Sequence, residues 1–396
     1  MAWWQRKEER SQTIAQSATA ADWYAFFGIK DTQLPTVTVD AALKVPAVSA
    51  AVKRLSETLA ACHIGLYRRS GMAVTPVSGT LNTMLADAPN ETQTSFKFRR
   101  YLWRQVFTHG RGMAYIERNA NGTPRSLFGL DVTKVTVHRQ DERLHYTYGR
   151  RRYEASDVID ITWADKDDMT GALSPIIENR RAIALAIAMN DYAAHYFAGG
   201  GVPPLSLEGP MPTGAEAMKR QMEDIMRAIN TAKDSNQPVF PMPPGHALKP
   251  VGLDPDKGQM VAALEFQIEE IARGFGIPPV FLQDLRRGTY SNTEQQDLSY
   301  VKHTITPWAE DLEEELNLKF FGRSSRSRFY MHDLESISRG DTRTRTESNE
   351  RAIFSGQKTV NEIRTKQGDP AVDGGDQPLV QSAMIPLNQV SNQNEQ

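Results

Sequence analysis

Between Gln259 and Phe321 the apolar positions fall into two stripes separated by a break. Val261, Leu264, Ile268, Ile271 and Phe275 recur at steps of three and four, which predicts one face of a helix. Leu298, Val301, Ile305, Trp308 and Leu312 repeat the spacing and predict a second, longer helix. The first has to end at Phe275-Gly276-Ile277-Pro278-Pro279. Gly276 is free to take a left-handed cap, Pro278 pushes Ile277 out of the helical region, and Pro279 does the same to Pro278. Ser291-Asn292-Thr293-Glu294 is a capping box for the second helix, in which Ser291 and Glu294 each satisfy an orphan N–H. Pro307 predicts a kink after Thr306, because its ring removes one N–H and clashes with the carbonyl a turn earlier; two abutting helices fit the same pattern. The intervening loop, Phe281 to Tyr290, carries adjacent Arg286 and Arg287 at its tip, followed by Thr289 and Tyr290. Prolines on one side and a capping box on the other hold such a loop at its base and let it project.

Upstream, Val48, Val52, Leu55 and Leu59 predict a short amphipathic helix followed by a strand from His63 to Arg68. A second helix is expected near Ser95 to Thr108, with Ser95 as its cap. Beyond Gly110 the pattern shifts to short strands: Met113–Glu117, Ser126–Leu130, Lys134–His138, Leu144–Tyr148 and Val158–Trp163. Asn121-Gly122 between the first two is a hairpin signal. These strands predict one small antiparallel sheet packed on the two helices, an α+β unit. At Ser174-Pro175 the hydroxyl can cap a helix and the proline suits its first position; the helix is expected to run to Phe197, and its many alanines allow close approach of neighbours.

Residues 201–256 hold ten of the chain's 22 prolines, so they cannot continue that helix. The one helix expected there starts at the capping box Thr213 to Glu216 and lines up Met218, Met222, Ile225 and Ile229. Later, Arg328 to Leu334 reads as a returning strand and Thr342 to Phe354 as a polar helix. From Gln367 the composition predicts a disordered tail, and Met1 to about Asp40, with Trp23 to Phe27, a loosely held arm.

Composition narrows the chemistry. Nothing is apolar for long enough to span a bilayer and no signal peptide opens the chain, so no membrane partner and a cytoplasmic site of synthesis are expected. Cys62 is the single cysteine, which excludes an internal disulfide and a cysteine-rich zinc site; it reads as a small core residue at a helix end. The eight histidines show no metal-ligand spacing, although His138 and His145 can face each other across a hairpin. No phosphate loop or nucleophile elbow occurs, and the carboxylates from Glu310 to Glu315 read as a solvated helix face. Catalytic residues, metal and cofactor are therefore expected to be absent. With 46 Lys plus Arg against 48 Asp plus Glu, the net charge of −2 argues against tight phosphate binding but not against nucleic acid sliding past.

Four motifs in order resemble the portal proteins of long-tailed double-stranded DNA bacteriophages: Gly110 to Leu130, Gly171-Ala172-Leu173-Ser174-Pro175-Ile176, Ile271 to Pro279 with Tyr290 to Gln296, and Gly356 to Arg364. The resemblance covers about residues 45–369. It implies a portal fold: an α/β wing (41–173) after an arm (1–40), stem helix 1 (174–200), an inserted α/β clip (201–258) and stem helix 2 (259–277). A tunnel loop (278–291), a long kinked helix with a returning wing strand (292–340), a small helical crown (341–370) and a tail (371–396) complete it. It further implies self-assembly into a closed ring, usually of about twelve subunits, at one capsid vertex of the virion. Its implied partners are double-stranded DNA bound without sequence specificity, the terminase large subunit, head-tail adaptors, and major capsid and scaffold proteins. Arg286, Arg287, Thr289 and Tyr290 would then line the channel. Two rival readings stay open, a nucleic-acid-processing enzyme and a scaffold protein that forms no ring.

Overall fold

The structure, a computed structural model, describes residues 35–379 apart from 142, 167–168, 199–204, 210–213, 235–244, 246, 251–256, 283–289, 324–326 and 335–341. In chain order, helices α1 (Val39–Leu43) and α2 (Pro46–Ala61) lead to the hairpin β1 (His63–Ser70) and β2 (Ala73–Pro76), then α3 (Thr80–Ala86) and α4 (Ser95–His109). Strands β3 (Arg111–Arg118), β4 (Pro124–Leu130), β5 (Val135–Gln140), β6 (Arg143–Tyr148), β7 (Arg151–Glu154) and β8 (Val158–Thr162) follow, with a short pair β9 (Ala164–Asp165) and β10 (Ala172–Leu173). Next come α5 (Pro175–Glu178), α6 (Arg180–Ala198), β11 (Leu205–Glu208), α7 (Ala215–Asp234), β12 (Ala247–Pro250) and α8 (Lys257–Gly274). The last part holds α9 (Tyr290–Tyr300), a π-helical turn (Val301–Ile305), α10 (Thr306–Phe321), β13 (Arg328–Asp333), α11 (Thr342–Phe354) and α12 (Val360–Gln367). The chain divides into two compact units, one of residues 1–57, 97–117 and 127–287, the other of 58–96, 118–126 and 288–396.

In the first unit the single predicted sheet is two, with strand orders β4-β3-β8 and β5-β6-β7. Strand β7 escaped the sequence reading because Arg151, Arg152 and Glu154 are exposed and only Tyr153 is partly covered, so no apolar alternation marks it. Met113, Leu130, Tyr146 and Val158 form a core between the sheets' residues, with Tyr115, Val137 and Leu144 packed against it. An ion pair is sealed into this core. Arg111 grips Asp160 through Nε and Nη2 (2.7 and 2.8 Å), Tyr146 donates to the same carboxylate (2.7 Å), and Arg111 Nη1 reaches the Thr170 carbonyl (2.6 Å). Burial alone would lower the pKa of Arg111, but the Asp160 carboxylate outweighs it and raises it.

The expected long helix from Ser174 is interrupted. After α5, Asn179 leaves helical geometry (φ −91°, ψ 15°), and the 19-residue α6 starts afresh at Arg180, about 28 Å long. Helix α7 starts at Ala215 with the Gly214 carbonyl accepting from Met218 N, so the cap is one residue later than Thr213, which lies outside the described residues. His138 and His145 pair in register and stack at 5.0 Å, as the hairpin predicts.

In the second unit the returning strand is found: β13 pairs antiparallel with β1 from His63–Asp333 to Arg68–Arg328, and β2 extends the sheet. Tyr330 is fully buried between Phe320 and Phe321, donates to the Leu81 carbonyl (2.8 Å), and is pushed up in pKa by burial. Helix α10 serves this strand directly. Asn317 accepts from Tyr330 N, and Glu313 accepts from His332 N and meets its ring Nδ1 at 2.8 Å, so Glu313 is not part of a solvated face. Ser95, expected to cap a helix, is buried, opens α4 as its first residue and donates to the Leu85 carbonyl. Cys62 is buried just past the end of α2, as expected.

The long kinked helix also differs from its prediction. A π turn precedes Pro307: Thr306 N–H reaches back five residues to the Val301 carbonyl, and its hydroxyl donates to the same oxygen (2.9 Å). The turn shifts the helical phase. Ile305, Ala309, Leu312 and Leu316 are buried, whereas Leu298, placed on the same stripe by simple spacing, is 51% exposed.

The predicted disordered tail begins too early. Thr359 and Glu362 form a capping box for α12, and Asn361 bonds Val372 N, the Val372 carbonyl and Asp376, which closes residues 369–379 onto the helix.

Candidate functional site

The loop carrying Arg286, Arg287 and Thr289 lies outside the described residues; the two bases that hold it do not. At the first base Gly276 takes φ +66°, its N–H bonds the Arg273 carbonyl and Ile277 N bonds the Ala272 carbonyl, the left-handed helix end expected there. Pro278 follows, and Pro279 to Leu282 make one 3₁₀ turn in which Phe281 N bonds the Pro278 carbonyl. Phe281 carries the Arg54 guanidinium 5.7 Å over its ring, a cation–π contact. At the second base, α9 already includes Tyr290 and Ser291. Tyr290 therefore opens the helix rather than ending the loop, and Ser291 stands inside the first turn rather than before it. The side chains of Ser291 and Glu294 lie outside the described residues. Pro307 is exposed at the start of α10, directly after the π turn.

Helix α8 is fastened to the rest of the first unit through contacts the sequence reading missed. It packs on α6, and the Asn179 amide that interrupts the preceding helix donates to both the Pro175 carbonyl (2.8 Å) and the Gly274 carbonyl (3.2 Å). A Cβ at Gly274 would overlap that amide. Phe275 is buried beside Trp163, which stacks edge-on to Phe107 and donates its indole N–H to Glu178 (2.7 Å). Ser174 sits at the helix-cap position without capping; its hydroxyl donates to the Thr108 carbonyl (2.7 Å) at the end of α4. Gly110 (φ +82°) lies so close to this strand that a Cβ would run into the Leu173 backbone. The visible signal was the glycines: Gly110 permits the approach of a second backbone and Gly274 that of a side-chain amide, but nothing local names their partners.

The expected buried stripe of α8 is rotated. Ala263, Gln267, Ile271 and Phe275, at steps of four, are buried, while Leu264 and Ile268 are half-covered. Among the described residues no group of three or more His, Cys, Asp or Glu side chains is placed to hold a metal ion, and no helix is long and apolar enough to cross a membrane.

The sequence pattern of the family described as phage portal protein matches residues 46–368, most of the chain. The chain belongs to the phage portal protein family. The portal protein of Enterobacteria phage HK97 is 26% identical over 325 residues, covering 81% of this chain and 76% of that one. In fold the chain is similar to an HK97-family phage portal protein from Corynebacterium diphtheriae (TM-score 0.54, 14% identity, 75% of this chain and 94% of that chain). It is likewise similar to a chain in the neck of a native gene transfer agent particle computed with C12 symmetry (TM-score 0.54, 18% identity, 84% and 94%). The resemblance read from four motifs is thus borne out, and those motifs have physical counterparts here. Gly110 and Ser174-Pro175 form the knot below α5, Ile271 to Pro279 ends α8, and Gly356 to Arg364 supplies the helix end, capping box and Asn361 clasp of the last helix.

Proposed function

We propose that copies of this chain close into a cyclic ring at one vertex of a phage-type particle, and that double-stranded DNA passes through the ring during packaging and ejection. The match to the portal family across residues 46–368 carries this reading. The C12 symmetry of the similar neck supports a ring of twelve. The work is mechanical, and no residue is assigned to a reaction.

Within that ring, α6 and α8 act as the stem, the insertion between them as the clip that docks the terminase large subunit and later the head-tail adaptors, and residues 278–291 as the tunnel loop. Their arrangement supports this division: the two helices pack together, the insertion leaves and returns between them, and the loop follows at once from a base pinned at Asn179, Gly274 and Phe281. Arg286 and Arg287, repeated around the ring, touch the DNA backbone without reading sequence. The near-neutral charge of −2 suits a conduit, because a lumen dense in cations would grip each phosphate. Capsid and scaffold proteins surround the ring during assembly in the host cytoplasm.

The test replaces Arg286 and Arg287 with Glu and measures DNA per particle. The expected result is normal ring assembly with less DNA packaged; unchanged packaging would remove DNA contact from these residues.

A further inference from the structure

Helices α2 and α4 enclose a groove of about 470 Å³ that the tunnel-loop reading leaves unused, and every residue lining it belongs to the first unit. The lining is amphipathic. Leu43 and Val52 supply apolar surface, and Tyr101 adds a partly exposed aromatic ring. That ring is backed by Gly129, where a Cβ would come within 2.6 Å of it. Lys53 and Arg104 bring long side chains in from the two helices. A cavity in the range of roughly 300–1,000 Å³ is large enough to enclose a small organic body, and this combination of surfaces suits aromatic side chains. Apolar walls take the body of a ring and cations lie over its face. Arg54, the neighbour of Lys53, already does this with Phe281.

The chain enters this groove from its N-terminal side. The described residues start at Pro35, Thr38 caps α1, and Leu43 at the end of α1 is already part of the lining. At about 1.5 Å per residue, Val39 stands roughly 6 Å along the helix axis from Leu43. Upstream, and outside the described residues, Trp23-Tyr24-Ala25-Phe26-Phe27 puts four aromatic side chains into five residues. Each has roughly 150–250 Å² to remove from water, so together they exceed the apolar patch that a soluble chain commonly leaves uncovered. The eleven residues from Gly28 to Thr38 extend at most about 40 Å, long enough to carry the run back over α1. The tether also holds the run at a local concentration that a separate partner has to exceed.

We propose that the groove between α2 and α4 is the docking site of this chain's own N-terminal arm, which seats aromatic side chains of the Trp23–Phe27 run against Leu43, Val52 and Tyr101, with Lys53 and Arg104 over their faces. The contact replaces the loosely held arm that composition alone suggests. It is made within one copy and does not depend on the ring.

The cover is tested by thiol labelling in the full-length chain. Ser49→Cys places a thiol in the groove lining, and Cys62, the single natural cysteine, is buried and gives a low background. A maleimide should label the new thiol slowly, and about tenfold or more faster once Trp23→Ala, Phe26→Ala and Phe27→Ala are added, with a thermal melt to check that each variant is folded. Filling the groove from the other side with Ser49→Trp should speed chymotryptic cleavage within residues 23–27 by a similar factor. One labelling rate with and without the aromatic run would overturn the inference, as would cleavage indifferent to Ser49→Trp. Protection that grows with protein concentration would assign the cover to another copy, and protection that appears only on adding double-stranded DNA would assign the groove to nucleic acid; either result overturns it too.

Discussion

The first base of the loop and the helix that follows its second base are controlled by different kinds of contact. In the first unit the chain is fixed by close approach to backbone: Gly110 against the Leu173 backbone, the Ser174 hydroxyl on the Thr108 carbonyl and the Asn179 amide on the Gly274 carbonyl. Along α9 and α10 the path is set by an apolar line, Ile305, Ala309, Leu312 and Leu316, whose phase a π turn resets before Pro307. The first arrangement tolerates no added atom but does not depend on large side chains. The second depends on side-chain volume and hardly notices what stands off the line. A loop pinned by the first kind of contact keeps its base position even when neighbouring side chains vary.

The strongest way to break this contrast is Gly110→Ala. The new Cβ meets a backbone carbonyl that cannot swing aside, at φ +82°, so the expected loss is roughly 3–5 kcal/mol in denaturant unfolding. Next is Ile305→Ala, fully buried on the α10 line, with a loss of about 2–5 kcal/mol, set against Leu298→Glu, which should stay within about 0.5 kcal/mol. Equal losses at the two positions would mean that α9 and α10 share one uninterrupted stripe. Asn179→Ala is the gentlest probe of the first arrangement. It removes the donor to two carbonyls and should cost about 1–2 kcal/mol, with faster amide exchange concentrated at the end of α8.

What could be read in advance follows the same division. The Gly276 cap and the Asn121-Gly122 hairpin were legible because each depends on a backbone constraint carried by the residue itself; Gly276 and Gly122 take φ +66° and +80°. The exposure of Leu298 was not legible, since a π turn leaves no mark in three-four spacing. Ser174 was read as a cap because its position is right, yet its hydroxyl is spent on a carbonyl 66 residues away. Glu313 looked like one more solvated charge in an acidic run until β13 returned to meet it. Of the candidate site, the hinge was legible at Gly276 and the prolines. Its fastening to Asn179 was not, because a long-range hydrogen bond has no local signature.

The account turns on copies closing around a channel with residues 278–291 at its wall. Imaging the assembled chain by electron microscopy tests this most directly. It predicts a closed cyclic ring with a central hole and that segment facing the lumen; a chain that stays monomeric, or a ring that carries the segment on its outer rim, would contradict it.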